Sequence, residues 1–111
     1  MSSSEAAGPP VREVLAQTAD VRVQLVTLAA GGAVPWHFHS HVSDTIVAVV
    51  GTIIVETRDP PARHALASGQ HLTLAANAVH RVAGRGDAAC RFINVHAGGR
   101  YDFRAIAVEP P

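Results

Sequence analysis

Three of the seven histidines of this 111-residue chain fall within five residues, at His37, His39 and His41, and a fourth, His80, follows a short apolar segment. Histidine is the commonest metal ligand and the usual acid–base group near neutral pH. His37 and His39 are two apart in a stretch that reads as a strand, so both imidazoles share one face, with Cα atoms about 6.6 Å apart. Two rings at that separation can converge on one ion, a bidentate element suited to Zn, Fe, Mn, Ni or Cu. His41 has the same parity but would lie roughly 13 Å from His37 on a straight strand. It reaches the same ion only if the chain bends near Ser40, and is expected at the rim, where it could contact a substrate. Asp44 opens the next strand, expected to run back antiparallel to the first, and its hard, anionic oxygen could return to the ion. The expected cofactor is one divalent transition metal ion: Fe, Mn, Ni or Zn.

A second group of candidates lies further on. Phe92, Asn94 and His96 share one strand face, opposite Arg91. If Arg91 points outward, Asn94 and His96 point inward, where polar side chains need partners and a cavity would supply them. Asn94 is expected to touch a bound molecule and His96 to take a catalytic part. Arg100, Tyr101, Asp102, Phe103 and Arg104 form a polar–aromatic cluster in which Tyr101 is a further candidate for substrate contact. Trp36 and Phe38 face away from His37, toward the core or a second subunit. His71 reads as structural, and His64 as solvated in a loop. Cys90, the single cysteine, reads as a buried hydrophobe and excludes both an intrachain disulfide and a cysteine-based zinc site.

The elements that must position these residues are strands. Val21, Val23 and Leu25 alternate with Arg22 and Gln24, the period-two pattern of a half-buried strand. Residues 44–50 and 52–58 are β-branched runs separated by Gly51, which reads as the turn of an antiparallel pair. Asp59, Pro60 and Pro61 end the second run. Further strands are expected over 71–74, 80–83, 88–96 and 101–108. The sole helical candidate, Val11–Thr18, is weakened by its β-branched start. Many short strands with Gly and Pro punctuation indicate an all-β sandwich or barrel. Residues 1–10 are expected to form a flexible arm, and residues 11–111 a single domain.

The segment GGAVPWHFHSHVSDTIVAVVG spaces Gly31, His37, His39, Asp44 and Gly51 in a way that resembles the first motif of the cupin family, with Asp44 where most members have Glu. The segment GQHLTLAANAVH, from Gly69 to His80, is similar to the second motif. Ala75 and Asn77 replace the usual Pro and Gly, and Gly84 stands in place of the usual Asn. Asn77 is a chemically sensible replacement, since asparagine tolerates positive φ better than other non-glycine residues. The resemblance, over roughly residues 21–97, implies a small single-domain cupin: a double-stranded β-helix, or jelly-roll barrel. Its metal ligands, carried over residue by residue, would be His37, His39, Asp44 and His80. Asp44 is one methylene shorter than Glu, and three histidines with water could hold the ion without it. The resemblance also draws attention to Asp102, because small cupins acting on unsaturated uronates use an acidic residue in this region for catalysis. The competing reading for Asp102 is a surface ion pair on a closing strand.

Composition narrows the functional classes. Nine basic residues balance nine acidic ones, and all the basic residues are arginine. There is no basic stripe for nucleic acid, no lysine for a Schiff base or phosphate loop, and no apolar run long enough to span a bilayer. The first residues lack the features of a signal peptide, so a cytoplasmic protein is expected. The leading expectation is a metalloenzyme for a small organic molecule, of dioxygenase or sugar-acid isomerase type. The alternatives are a non-catalytic ligand-binding or sensor domain and a zinc-dependent polyketide-type cyclase. A homodimer is expected, since exposed strand edges gain by being covered.

Overall fold

The computed structural model describes residues 8–106. Most of the expected arm, and the end of the expected last strand, lie outside the described residues. Ten strands follow in chain order: β1 (Val11–Gln17), β2 (Val21–Leu28), β3 (Ala33–Phe38), β4 (Ser43–Val50), β5 (Ile53–Arg58), β6 (Pro61–Leu66), β7 (His71–Leu74), β8 (His80–Gly84), β9 (Cys90–Ala97) and β10 (Arg104–Ala105). A single 3-10 turn, Arg85–Asp87, joins β8 to β9. The strands form two antiparallel five-stranded sheets, ordered β1-β2-β9-β4-β7 and β10-β3-β8-β5-β6. The sheets pack face to face as a jelly roll, which confirms the expected all-β architecture.

Val11–Gln17, the weak helical candidate, is an exposed edge strand paired with β2. The run 52–58 ends at Arg58 as expected, and Pro61 then begins β6, an edge strand whose first residue can lack an N–H. Two local expectations are corrected. His64 lies on β6, half-buried, rather than in a loop. Finally, β4 and β5 are not a hairpin. Gly51, at φ 78°, carries the chain from one sheet to the other. For the same reason β3 and β4 are not paired: they belong to facing sheets.

The inner face changes character along its length. At one end Val26, Leu28, Ile46, Ala48 and Phe92 of the first sheet meet Val34, Ile53, Val55 and Val82 of the second, and all are buried. Toward the other end the same strands turn polar. Cross-strand register runs Val26–Phe92–Ala48 through the core, then Gln24–Asn94–Ile46, then Arg22–His96–Asp44. On the facing sheet Val34 pairs with Val82, and after a bulge His37 pairs with His80. The apolar layers anchor the fold, and the polar layers stacked on them form one chamber.

Candidate metal centre

The bulge in β3 sets the chamber's first feature. The register shift between Val34 and His37 lets both point inward although they are three residues apart, and His39 follows on the same face. His80 opens β8 beside His37. The preceding turn places Asn77 at φ 72°, the left-handed conformation for which asparagine is suited. Asp44 comes from β4 of the opposite sheet, so the cluster bridges the two layers. His37, His39, Asp44 and His80 are all buried, and one donor atom from each lies within 4.8 Å of all the others.

Hydrogen bonds fix the imidazole tautomers. His37 Nδ1–H donates to the Pro35 carbonyl at 2.7 Å, His80 Nδ1–H to the Ala78 carbonyl at 2.8 Å, and His39 Nδ1–H to the Asp102 carbonyl at 2.6 Å. Each neutral ring therefore turns an Nε2 lone pair inward, the form a metal ligand requires. His80 Nε2 is 3.0 Å and His39 Nε2 3.4 Å from Asp44 Oδ2. Lone pairs facing a carboxylate at that range need a cation among them, either a proton or a metal ion. Protonation is opposed at His37, whose pKa is pushed down to about 3 by burial and by the neighbouring His80. Burial also lowers His39, but Asp44 and the Asp102 carbonyl more than offset it, and its pKa is raised. Asp44 is held well below the usual carboxylate range. Burial works against its charge, and the close imidazoles of His39, His80 and His96 outweigh burial. The buried His39 Nε2 is also without a hydrogen-bond partner. Three imidazoles and a carboxylate with these orientations fit a divalent transition metal ion.

Around this cluster lies a shell drawn from β2 and β9. Asn94 Nδ2 donates to Asp44 Oδ1 at 2.8 Å, and Gln24 Nε2 donates to Asn94 Oδ1 at 3.4 Å. His96 Nε2 stands 3.3 Å from Asp44 Oδ1, and His96 Nδ1 is buried and without a partner. One carboxylate oxygen is thus engaged by the protein, and the other faces the imidazoles.

The chain after β9 folds back across the chamber. Phe103 stacks on His37, and the Tyr101 ring lies 4.9 Å from that of His96. Asp102 points the other way: its carboxylate accepts from the Ser40 backbone N–H at 2.8 Å, from the Ser40 hydroxyl and from Arg104 Nε at 3.1 Å. Those bonds hold its pKa well below the usual range. Asp102 thus ties the segment down while its main chain orients His39. His41 is exposed and outside the cluster, in the loop between β3 and β4. His71 is exposed on β7, and Cys90 is buried in the core. The remaining enclosed cavity, about 10 Å³, is bordered by His37, His39, His96, Asn94, Tyr101, Phe103 and Arg12.

Sequence reasoning overlooked Gln24, Arg12, Arg22 and Phe103. On β2 the residues facing inward are Gln24, Val26 and Leu28, whereas Val21, Val23 and Leu25 lie half-buried on the outer face. Alternation locates two faces without saying which is inside. The clue was the registered row of polar residues, which needs the strand pairing to be seen.

Comparison with known proteins agrees with this architecture. Residues 24–96 match the family model described as a cupin domain. An uncharacterized conserved protein with a double-stranded β-helix domain from Klebsiella pneumoniae superposes with a TM-score of 0.74 at 24% identity, covering 95% of this chain and 90% of that one. A cupin superfamily protein from Desulfitobacterium hafniense gives a TM-score of 0.71 at 17% identity, covering 85% and 82%. An oxalate oxidase solved in complex with glycolate gives 0.74 at 15% identity, covering 93% of this chain but only 57% of that one. No curated protein matches the chain at a significant level. With a family match spanning most of the chain, and with its two motifs supplying the clustered histidines and Asp44, the protein belongs to the cupin family.

Proposed function

We propose that this cupin is a metalloenzyme that holds one divalent transition metal ion, Fe, Mn, Ni or Zn, with His37, His39, His80 and Asp44, and acts on a small organic molecule. One observation carries the reading: three buried imidazoles, each locked by a main-chain carbonyl on Nδ1, aim their Nε2 atoms at one carboxylate. An ion held there supplies a Lewis acid for a carbonyl or a centre that activates dioxygen. The protein's own residues do the rest. Asn94 and Gln24 orient Asp44, Tyr101 and Phe103 cover the chamber, and His96 and Tyr101 line the space that a bound molecule would enter. The enclosed cavity, about 10 Å³, is little more than room for one water, which favours a very small ligand at the ion over a polyketide chain. The fold likeness to an oxalate oxidase, solved with glycolate, supports the same scale of substrate. The protein is read as a cytoplasmic homodimer. Among the described residues, no helix is long and apolar enough to cross a membrane.

Elemental analysis tests the proposal directly. Protein produced with Fe, Mn, Ni and Zn in the medium should retain about one ion per chain, and His80→Ala should lose it. The exposed His41→Ala variant should keep it. A folded wild-type chain that takes up none of these metals would overturn the reading.

A further inference from the structure

The inward side of the first sheet's edge strand carries an exposed cation at the mouth of the chamber. Arg12 on β1 pairs with Val26, which is fully buried, so it takes the inward side of the edge strand. Its guanidinium lies 5.6 Å from the Phe103 ring centroid, and on the same ring His37 stacks at 4.4 Å. Phe103 therefore joins an arginine to one of the metal-binding histidines. Arg22 repeats the arrangement one strand inward. It pairs with His96 and stands 4.7 Å from the Tyr101 ring, which in turn contacts His96. Arg22 spends donors on the side-chain carbonyls of Gln24 and Gln17. Among the described residues, no carboxylate forms an ion pair with Arg12 or Arg22. The nearby Asp102 is committed to Ser40 and Arg104.

From this geometry we infer that Arg12 is an anion-docking residue, and that the small molecule bound in the chamber carries a carboxylate. The inference rests on the metal reading for the second end of the molecule. One functional group faces the ion, and the carboxylate reaches the guanidinium at the mouth. A planar guanidinium offers a fork of N–H donors that matches a carboxylate's two oxygens. Phe103 preorganises it by stacking, so less side-chain freedom is lost on binding. The second guanidinium at Arg22 adds positive potential to the mouth of a chain with no net charge. The enclosed part of the chamber, about 10 Å³, has room for little more than the group at the ion, so the carboxylate end of the ligand lies in the mouth beside Arg12.

3-Hydroxypropionate, whose hydroxyl can face the ion while its carboxylate reaches Arg12, and its neutral counterpart 3-hydroxypropionamide, titrated by calorimetry into zinc-loaded protein, distinguish the outcomes. Wild type should bind 3-hydroxypropionate and not the amide. Arg12→Gln should weaken 3-hydroxypropionate roughly tenfold to a hundredfold, the scale of one charge-assisted pair, and Arg12→Lys should fall between. Zinc content should be the same in all three. Equal 3-hydroxypropionate affinity in wild type and Arg12→Gln, equal affinity for the amide, or no 3-hydroxypropionate binding by wild type would overturn the inference. Zinc content is measured on the same samples. A chain without zinc refutes the metal reading, while the Arg12 comparison, still made on that chain, judges the docking residue separately.

Discussion

Asn94 donates its side-chain N–H to Asp44 Oδ1 at 2.8 Å across the β9–β4 pairing, and this bond gives the buried carboxylate its direction. With Oδ1 taken, Oδ2 is the oxygen left to meet the imidazoles of His39 and His80. Gln24 backs Asn94 from the next strand, so three neighbouring strands contribute to one orientation. Asn94→Leu keeps a similar volume but removes the donor. It should lower metal affinity by about 10- to 100-fold, as loss of an outer partner of a ligand commonly does. Competition with a chelator of known affinity measures the change. An Asn94→Leu variant with undiminished affinity would show that Asp44 does not depend on this bond.

The legible part of the site came from local spacing. His37, His39 and His80 are recognisable because period two, the motif glycines and the position of Asn77 are all written in contiguous residues. What pairing decides was not legible. Asp44 reaches the cluster from the facing sheet rather than from a hairpin partner, because the chain changes sheets in the loop 39–42 between β3 and β4. Arg22 and Gln24 looked like a solvated face. Gln24 lines the chamber beside its registered neighbour Asn94, and Arg22 stands at its edge, registered with His96 and over the Tyr101 ring. A polar inner face at one end of a jelly roll has the same alternation as a polar outer face, and only the third dimension separates them.

The C-terminal cover depends on Asp102. Its carboxylate holds Ser40 from both main chain and side chain and pairs with Arg104, while its own carbonyl receives His39 Nδ1–H. Asp102→Asn preserves the shape but removes the charge that strengthens three of these bonds. Residues 98–104 should exchange their amide hydrogens about tenfold faster while the core strands keep their protection. Metal affinity should fall by a smaller factor, through the loosened orientation of His39. Hydrogen exchange followed by mass spectrometry reads both regions at once. Unchanged protection in 98–104 would mean that Tyr101 and Phe103 hold the cover without Asp102.

The outer face of the first sheet is where the expected homodimer would form. Val23 registers with Val95, and Leu25 with Ile93, which in turn registers with Val47. All five are half-buried rather than covered. Next to them runs the edge strand β1, with Val11 65% and Leu15 49% exposed. A continuous apolar sheet face of this kind gains free energy by pairing with a second copy. Ile93→Glu, in the middle of the patch, should shift the mass measured by light scattering from dimer to monomer and leave metal content unchanged. A monomeric wild type would remove the need for this surface.

Gly84 is one of the positions where the chain departs from the second motif, and the structure gives the reason there. Its backbone is ordinary, at φ −79° and ψ 153°, so any residue could adopt it. On unfolded-state entropy alone, Gly84→Ala should stabilise by about 0.4–1 kcal/mol. Space decides otherwise. The 3-10 turn Arg85–Asp87 brings the chain back so that a Cβ at Gly84 would overlap the Ala88 carbonyl oxygen and stand 3.3 Å from Cys90 Sγ. A backbone carbonyl cannot rotate aside as a side chain can, and overpacking of this kind costs about 1–3 kcal/mol or more. The clash outweighs the entropy gain, and Tm should fall by roughly 5–15 °C. The usual Asn of the motif, which is larger, should be tolerated still less. Thermal unfolding followed by circular dichroism gives the sign. A Tm for Gly84→Ala at or above that of wild type would mean that the turn can move away, and the motif's departure would then need another cause.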